Sequence, residues 1–257
     1  MSKIFVEPKD IHEEYIYIYN QEDINHIIKV LRLSENDIII VGDGNGQDYK
    51  ACIETIDKKV ITAKKIEKKF SHAEPLIDVT LYQGIPKSSK MEYIIQKTTE
   101  LGINRIVPVM TKRTIVKLDA KATQNKLQRW QRVAYEAAKQ SKRGKIPAVS
   151  LPVDFEQALQ EMRELDMSLI PYEKEEKNNL KQILCNPATT KTKIGVFIGP
   201  EGGFEEKEIQ RALQLGIYPV TLGPRILRTE TAGMATLAVI MYELGGNENE
   251  KPKNCSC

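Results

Sequence analysis

The stretch IGVFIGPEGGFEEKE, residues 194–208, joins an apolar run to a glycine-rich turn and then to an acidic segment. The run from Ile194 to Ile198 is typical of a strand that is buried on both faces of a parallel sheet. Glycines at a strand-to-helix turn let the backbone approach a ligand closely. Because Glu205 and Glu206 occupy the first helical turn, they satisfy the helix N-terminus and repel a phosphate. The stretch therefore predicts a strand, a loop for a neutral or cationic ligand, and a helix of an α/β fold.

Alternating strands and helices surround this stretch. The sequence predicts strands at Val79–Ile85, Ile103–Met110, Met167–Pro171, Lys193–Gly199 and Pro219–Gly223. It predicts helices between a capping box at Ser89 and the stop at Gly102, and at Lys121–Arg143, Asp154–Leu165, Glu205–Leu215 and Thr229–Leu244. Alternation of this kind favours a parallel sheet with helices on both faces, which binds ligands beyond the carboxyl ends of its strands.

The N-terminal part of the chain has a different sequence pattern. Its short runs of β-branched and aromatic residues indicate a small β-barrel. These runs are Ile4–Val6, Tyr15–Tyr19, Ile38–Val41, Tyr49–Ile56 and Lys59–Ile66, with one helix at Glu22–Leu33. Glycines and Asn45 between residues 42 and 46 predict a hairpin turn, since these residues tolerate positive φ. We expect a barrel domain at residues 1–72, an α/β domain at 73–246 and a disordered tail at 247–257.

A second loop, LGPRILRTETA at residues 222–232, follows the last predicted strand. Arg225 and Arg228 at a strand's carboxyl end are suited to bind RNA phosphate or carboxylates through two hydrogen bonds each. Thr229 is predicted to cap the last helix, with Glu230 in its first turn. That helix is apolar around most of its circumference, which favours a subunit interface.

Charge is segregated along the chain. Residues 111–146 contain 11 basic and 2 acidic side chains, whereas residues 154–176 contain 8 acidic and 2 basic ones. A cationic face for a polyanion and a solvated surface helix both explain the basic segment. Trp130 lies on the apolar side of this helix, so we expect it to pack in the core.

Other features exclude several classes of protein. The first ten residues are too charged for a secretory signal, and no apolar run approaches the ~20 residues of a membrane span. The four cysteines lack zinc-site spacing, so no metal is expected; Cys52 and Cys185, in apolar segments, are predicted to be buried thiols. These features together predict a cytoplasmic protein.

The two loops, 199–203 and 222–232, resemble the signature of the 16S ribosomal RNA (uracil-N3) methyltransferase family, RsmE-type, of the SPOUT superfamily. Further segments resemble the family in the same order: His26 with 30–32, and 96–102, 129–130, 136–141 and 170–173. The resemblance covers nearly the whole chain except residues 247–257. An arginine that the family often has near its start is absent, and Lys3 is expected to stand in for it.

This resemblance implies an α/β fold in which a PUA-like β-barrel domain precedes a C-terminal parallel-sheet domain with a SPOUT-type trefoil knot. It implies a homodimer that uses S-adenosyl-L-methionine to methylate N3 of a uridine in 16S ribosomal RNA of the small subunit. The cofactor pocket is expected at Ile170, Pro171, Ile198, Gly199, Pro200, Glu201, Gly202, Gly203, Leu222, Gly223, Ile226, Leu227 and Arg228. The expected catalytic residues are Arg225, Arg228 and, as a weaker base candidate, Glu201. The expected RNA-binding residues are Arg32, Lys112, Arg113, Arg129, Arg132, Lys139, Lys142, Arg143 and Lys145.

Two alternatives stay open at this point. A ribose 2′-O methyltransferase of the same fold would use the same cofactor but methylate another atom. A non-catalytic RNA-binding module would need the barrel and the basic helix, but neither of the paired loops. A phosphate-handling α/β enzyme is disfavoured, because the helix after the first loop begins with acidic residues.

Overall fold

A computed structural model describes residues 3–115, 119–185 and 192–246. The chain divides into two compact units, Met1–Glu74 with Ala138–Ile146, and Pro75–Ala137 with Pro147–Cys257. The first unit thus extends to Glu74, two residues beyond the predicted end of the barrel domain at residue 72. That residues 138–146 belong to the first unit was not predicted. The tail at 247–257, predicted to be disordered, lies outside the described residues.

The first unit is built on a five-stranded sheet with the order β1-β3-β4-β5-β2. β1 runs parallel to β3, and the other pairs are antiparallel. Alternate residues such as Ile16, Ile18 and Ile39 are buried and form its core. The strands are β1 (Lys3–Phe5), β2 (Tyr15–Ile18), β3 (Ile38–Gly42), β4 (Gln47–Ile56) and β5 (Ile61–Phe70). The predicted helix is present as α1 (Gln21–Asn25), which continues into a π-helical turn at His26–Val30, and a short 3-10 turn lies at Pro8–Asp10.

Buried charges hold residues 138–146 in the first unit. The Lys3 ammonium, 3% exposed, pairs with Asp48 at 2.6 Å and donates to the Arg143 carbonyl at 2.7 Å. The Arg143 guanidinium, 2% exposed, pairs with Glu74 at 2.7 Å. Glu74 also accepts the backbone N–H of Gly144 at 2.7 Å. Lys3 is therefore a buried structural residue that is not exposed for a contact with RNA, and that it stands in for the family's arginine stays a prediction.

The second unit contains a parallel sheet with the order β12-β10-β11-β6-β7-β8, and β9 also pairs with β7. The five strands that the sequence predicted here are all present, and nine of their ten ends lie within two residues of the predicted position. The strands are β6 (Asp78–Gly84), β7 (Arg105–Met110), β8 (Ala148–Val149), β9 (Val153–Asp154), β10 (Met167–Pro171), β11 (Lys193–Ile198) and β12 (Tyr218–Val220). The two-residue strands β8 and β9 were not predicted, because they are too short to show a periodicity.

Helices cover both faces of this sheet. Leu81 of β6 packs in one apolar cluster with Trp130 and Leu237, whereas its neighbour Tyr82 packs in another with Leu159. Trp130 is buried, as predicted. The helices are α2 (Lys90–Glu100), α3 (Ala120–Gln140), α4 (Phe155–Arg163), α5 (Leu180–Leu184), α6 (Glu206–Gln214) and α7 (Thr229–Leu244). Within the described ranges, no helix is both long enough and apolar enough to cross a membrane.

Three local predictions were wrong. Ser89 precedes α2, but its side chain forms no cap hydrogen bond. Helix α3 ends at Gln140 rather than at residue 143, because Lys142 adopts a left-handed φ of 59°. Cys185 is exposed and Cys52 half-buried, so neither is the buried thiol that its apolar neighbours predicted.

Candidate functional site

Four loops emerge at one edge of the second unit's sheet, because the strands that precede them are parallel. These loops are residues 85–89, 172–179, 199–205 and 221–228. The backbone N–H of Tyr172 donates to the Val220 carbonyl at 3.0 Å, and that of Thr221 donates to the Asn178 carbonyl at 2.9 Å. The loops at 172–179 and 199–205 also lie close together. The Glu173 carboxylate is 3.4 Å from the position that a Cβ on Gly203 would occupy.

The glycine-rich loop at 199–203 is packed too closely for larger residues. A Cβ on Gly84, at the end of β6, would lie 2.6 Å from the backbone nitrogen of Pro200. One on Gly199 would lie 3.1 Å from the backbone of Gly203, and Gly203 itself has a φ of +66°. The Arg113 guanidinium holds the outer side of the loop by donating to the Gly202 carbonyl at 2.5 Å. These glycines let main-chain groups line the site.

The helix after this loop satisfies its own N-terminus. The backbone N–H of Glu205 donates to the Glu208 carboxylate at 2.8 Å, and the other oxygen of Glu208 accepts the Lys112 N–H at 3.0 Å. Glu208 is buried. An anion at this helix start would meet a buried carboxylate, which agrees with the prediction that the loop is no phosphate cradle.

Glu201 is tied to the loop after β6. Its carboxylate accepts the Lys87 N–H at 3.1 Å and pairs with the Lys90 ammonium at 3.2 Å, and Lys90 also pairs with Glu230 at 3.4 Å. Burial by itself raises the pKa of Glu201, but hydrogen bonds from its own backbone N–H, from Lys90 and from Lys87 outweigh burial and lower the pKa below its ordinary value. A carboxylate stabilised in its charged form is a weak proton acceptor. This arrangement favours the loop-holding role of Glu201 over the role of a general base.

Thr229 joins the two loops that the sequence singled out. Its hydroxyl donates to the Gly199 carbonyl at 2.6 Å and accepts a hydrogen bond from Gln83 Nε2 at 2.8 Å. Thr229 is the first residue of α7, and Arg228 occupies the N-cap position without a side-chain cap. The prediction that Thr229 caps the helix was therefore wrong, because its hydroxyl points to the neighbouring loop instead.

The loop at 221–228 is open to solvent. Gly223 has a φ of +100°, and among the described residues none except its two chain neighbours has an atom within 4 Å of the position of its missing Cβ. Arg225 and Arg228 are exposed, and the Ile226 side chain is 85% exposed. The remaining expected cofactor residues border the same edge: Ile170, Ile198, Gly199 and Pro200 are buried, Pro171, Leu222 and Leu227 half-buried.

The residues at this edge fit S-adenosyl-L-methionine. Its sulfonium is a cation and it carries no phosphate, which suits an edge that presents the Glu173 and Glu201 carboxylates and an acidic helix start. Close glycine backbone and the open space beside Gly223 fit a ligand held largely by main-chain groups. The donor set therefore agrees with the cofactor that the resemblance implies.

The predicted RNA-binding side chains fall into three groups. Arg143 is buried against Glu74, so the expectation that it binds RNA is corrected. Lys139 pairs with buried Asp23, Arg129 pairs with Glu92 at 2.7 Å, and Arg113 holds the Gly202 loop. The exposed remainder is Arg32, Lys112, Arg132, Lys142 and Lys145.

Known proteins resemble the chain in both units. A family model described as an RNA methyltransferase domain matches residues 72–241, and one described as an RNA methyltransferase PUA domain matches residues 18–66. The chain belongs to the RNA methyltransferase family. The predicted resemblance is thereby confirmed, together with an α/β parallel-sheet fold and an N-terminal PUA-like domain.

Individual relatives match over most of their length. The Ribosomal RNA small subunit methyltransferase E of Bacillus subtilis is 34% identical, over 95% of this chain and 97% of its own. The protein of the same name from Mesomycoplasma hyopneumoniae is 35% identical, over 92% and 97%. Among solved structures, Ribosomal RNA small subunit methyltransferase E from Neisseria gonorrhoeae, bound to S-adenosyl methionine, has a TM-score of 0.82 at 29% identity, covering 94% of this chain and 97% of that one.

Sequence reasoning missed three residues at the site: Gln83, Lys90 and Glu173. Gln83 left a signal, since it is the polar residue near the end of an otherwise largely apolar strand, Val79–Ile85. Lys90 left none, because its partner Glu201 is distant in sequence, whereas Glu173 lies in the family-like segment 170–173 but was not assigned to the site.

Proposed function

We propose that this chain uses S-adenosyl-L-methionine to methylate N3 of a specific uridine in 16S ribosomal RNA of the small subunit. The observation that carries the proposal is the hydrogen bond from the Thr229 hydroxyl to the Gly199 carbonyl, which joins the glycine-rich loop to the arginine-bearing loop. An RNA-binding module without catalysis needs neither loop. We propose that residues 198–203, with Ile170, Pro171, Leu222, Gly223 and 226–228, hold the cofactor.

When bound, the cofactor supplies a methyl group on a sulfonium, which is a good leaving group, so positioning of the uracil contributes much of the rate. N3 of uracil carries a proton at neutral pH, and the developing uracil anion needs stabilisation. Arg225 and Arg228 are exposed on the loop that borders the cofactor residues. We assign this electrostatic role to the two guanidinium groups, because fixed cations near developing charge lower the barrier.

RNA contacts are assigned to the exposed cations Arg32, Lys112, Arg132, Lys142 and Lys145. Arg129 is assigned to the same group, because an RNA phosphate can replace Glu92 as the partner of its exposed guanidinium. Such side chains bind phosphates and position the substrate, but they carry little sequence information. The affinity for RNA is therefore expected to fall as salt is raised.

The family's trefoil knot, homodimer and cytoplasmic location belong to the same proposal. A second copy of the chain is a suitable partner for α7, where Tyr242 is 88% exposed and Val239 is 38% exposed. Exposed apolar side chains that form a contiguous patch are typical of a protein interface.

Nucleoside mass spectrometry tests the proposed function. Small-subunit RNA from cells that lack this protein is incubated, free or in subunits, with purified enzyme and S-adenosylmethionine. New 3-methyluridine is the expected product. A 2′-O-methylated nucleoside instead would keep the cofactor and overturn the target atom. Absence of both products, together with no cofactor binding in calorimetry, would assign the chain to the binding modules.

A further inference from the structure

Gln83 is a buried polar residue whose side chain donates two hydrogen bonds at the site. Its side chain is 0% exposed at the end of β6, among the apolar residues of the sheet. Nε2 donates to the Gly84 carbonyl at 3.0 Å and to the Thr229 hydroxyl at 2.8 Å. Reversing the amide would place Oε1 against the Gly84 carbonyl, so the donors must face these two acceptors.

This orientation fixes the direction of the next hydrogen bond. A hydroxyl has one proton, and the Thr229 oxygen already accepts from Gln83. Its proton is therefore free to point to the Gly199 carbonyl, 2.6 Å away. The amide, the hydroxyl and the carbonyl form a one-way chain from β6, through the first residue of α7, to the glycine-rich loop.

Gln83 is poorly explained as a residue for stability. Its Oε1 is buried and has no hydrogen-bond partner among the described residues. A buried acceptor without a partner is costly, and an apolar side chain of similar size avoids this cost. The amide is better explained by what its two donors orient.

We propose that Gln83 is a positioning residue that acts through Thr229 to hold the Gly199 carbonyl and the start of α7 in the geometry that binds the cofactor. The inference rests on the proposed function, because it concerns the same loops. Without the chain of hydrogen bonds, the turn at 199–203 keeps its own bond from the Gly203 N–H to the Pro200 carbonyl at 2.9 Å. Its direct hydrogen bond to the start of α7 is lost, and the partly exposed ion pairs of Lys90 with Glu201 and Glu230 remain, so the two halves of the site are held together less tightly.

Four variants of the full chain test this inference: Gln83→Met, Thr229→Val, Thr229→Ser and Thr236→Val. Thr236→Val is the matched control, because Thr236 is also buried on α7 but donates within its own helix, to the Ala232 carbonyl at 2.8 Å. Calorimetry without RNA measures S-adenosylmethionine affinity. Hydrogen–deuterium exchange of residues 199–204 without cofactor measures the order of the loop, and thermal unfolding measures stability.

Gln83→Met and Thr229→Val are expected to weaken cofactor binding about fivefold to tenfold, the worth of one hydrogen bond, and to speed exchange in the loop. Thr229→Ser keeps the hydroxyl and is expected to retain affinity. Thr236→Val is expected to bind the cofactor like the wild type, with a stability loss no smaller than that of Gln83→Met. Equal affinity and equal loop exchange in Thr229→Val and Thr236→Val would overturn the inference. If the wild-type chain bound no cofactor, the proposed function would fail, whereas the exchange comparison would still decide the inference.

Discussion

Arg113 Nη1 donates to the Gly202 carbonyl at 2.5 Å, which connects the segment before helix α3 to the glycine-rich loop. The sequence predicted Arg113 as an RNA contact, because it belongs to the basic stretch. Its neighbour Lys112 is also exposed, and among the described residues it reaches this part of the site through its backbone N–H, which donates to Glu208. Two adjacent cations thus have different relationships to the loop.

Arg113→Ala is therefore expected to weaken S-adenosylmethionine binding about fivefold, since it removes a charge-assisted hydrogen bond to the loop. Lys112→Ala is the adjacent control, because it removes a cation and leaves the backbone hydrogen bond. Calorimetry without RNA measures both affinities. If Lys112→Ala weakened cofactor binding as much as Arg113→Ala, general electrostatics rather than the Gly202 contact would explain the effect.

Glu201→Gln separates a loop-holding carboxylate from a general base. The amide can still accept the Lys87 N–H but no longer forms an ion pair with Lys90. We expect kcat to fall less than tenfold, and cofactor affinity to fall by a similar modest factor. A general base contributes roughly 10²–10⁴-fold. A loss of that size in single-turnover methylation, at saturating cofactor, would restore Glu201 as the proton acceptor.

The same contact predicts how loop order depends on pH. The folded pKa of Glu201 is lowered, so its stabilising contribution is complete above the unfolded value of about 4.3 and is lost as the pH falls through the folded pKa. Hydrogen bonding to Glu201 raises the pKa of Lys90, so the contribution of Lys90 is complete below the unfolded value of about 10.4 and is lost as the pH rises through the raised folded pKa. The Glu201–Lys90 contact should thus be constant across neutral pH. Cofactor affinity that changed between pH 6 and 8 in the wild type, but not in Glu201→Gln, would contradict these directions.

Local patterns predicted most of the elements, because a buried strand and an amphipathic helix each have their own period. They also predicted a ligand-binding edge at the carboxyl ends of the parallel strands, whereas the choice of loops that form the pocket came from the family resemblance. The partners of the site residues could not be predicted in this way. Thr229 lies 146 residues from Gln83, and a threonine before a helix fits a cap as well as a bridge.

Arg143 shows where periodicity misled. It was expected to bind RNA from a helix that was predicted to continue to residue 143. The helix ends at Gln140, and the left-handed turn at Lys142 redirects the next side chain into the first unit. A single backbone reversal thus converts a predicted phosphate contact into a buried partner of Glu74.

Arg143→Ala is expected to destabilise the first unit by up to about 3 kcal/mol, because it leaves the Glu74 carboxylate, 11% exposed, without its cationic partner. Lys142→Ala removes an adjacent exposed cation and is expected to leave stability within about 0.5 kcal/mol. The affinity of Lys142→Ala for RNA should fall. The slope of log affinity against log salt concentration should decrease in magnitude by about 0.7–0.9 for each phosphate that the variant no longer neutralises. Chemical denaturation and RNA titrations at several salt concentrations measure both effects. Equal stability of the two variants would contradict the buried pair.

Arg225 and Arg228 give the most direct test of the chemistry. If their guanidinium groups stabilise the developing uracil anion, Arg225→Ala and Arg228→Ala should each lower kcat about 10²–10³-fold, because the charge develops only in the transition state. Arg225 lies outside the residues assigned to the cofactor, so its variant should bind S-adenosylmethionine like the wild type. Arg225→Lys keeps the positive charge but lacks the planar guanidinium group, so its kcat should lie between those of the wild type and Arg225→Ala. Single-turnover rates at saturating RNA separate this effect from substrate affinity. Full turnover by Arg225→Ala with unchanged RNA affinity would remove Arg225 from the mechanism, whereas a loss confined to RNA affinity would make it a phosphate contact.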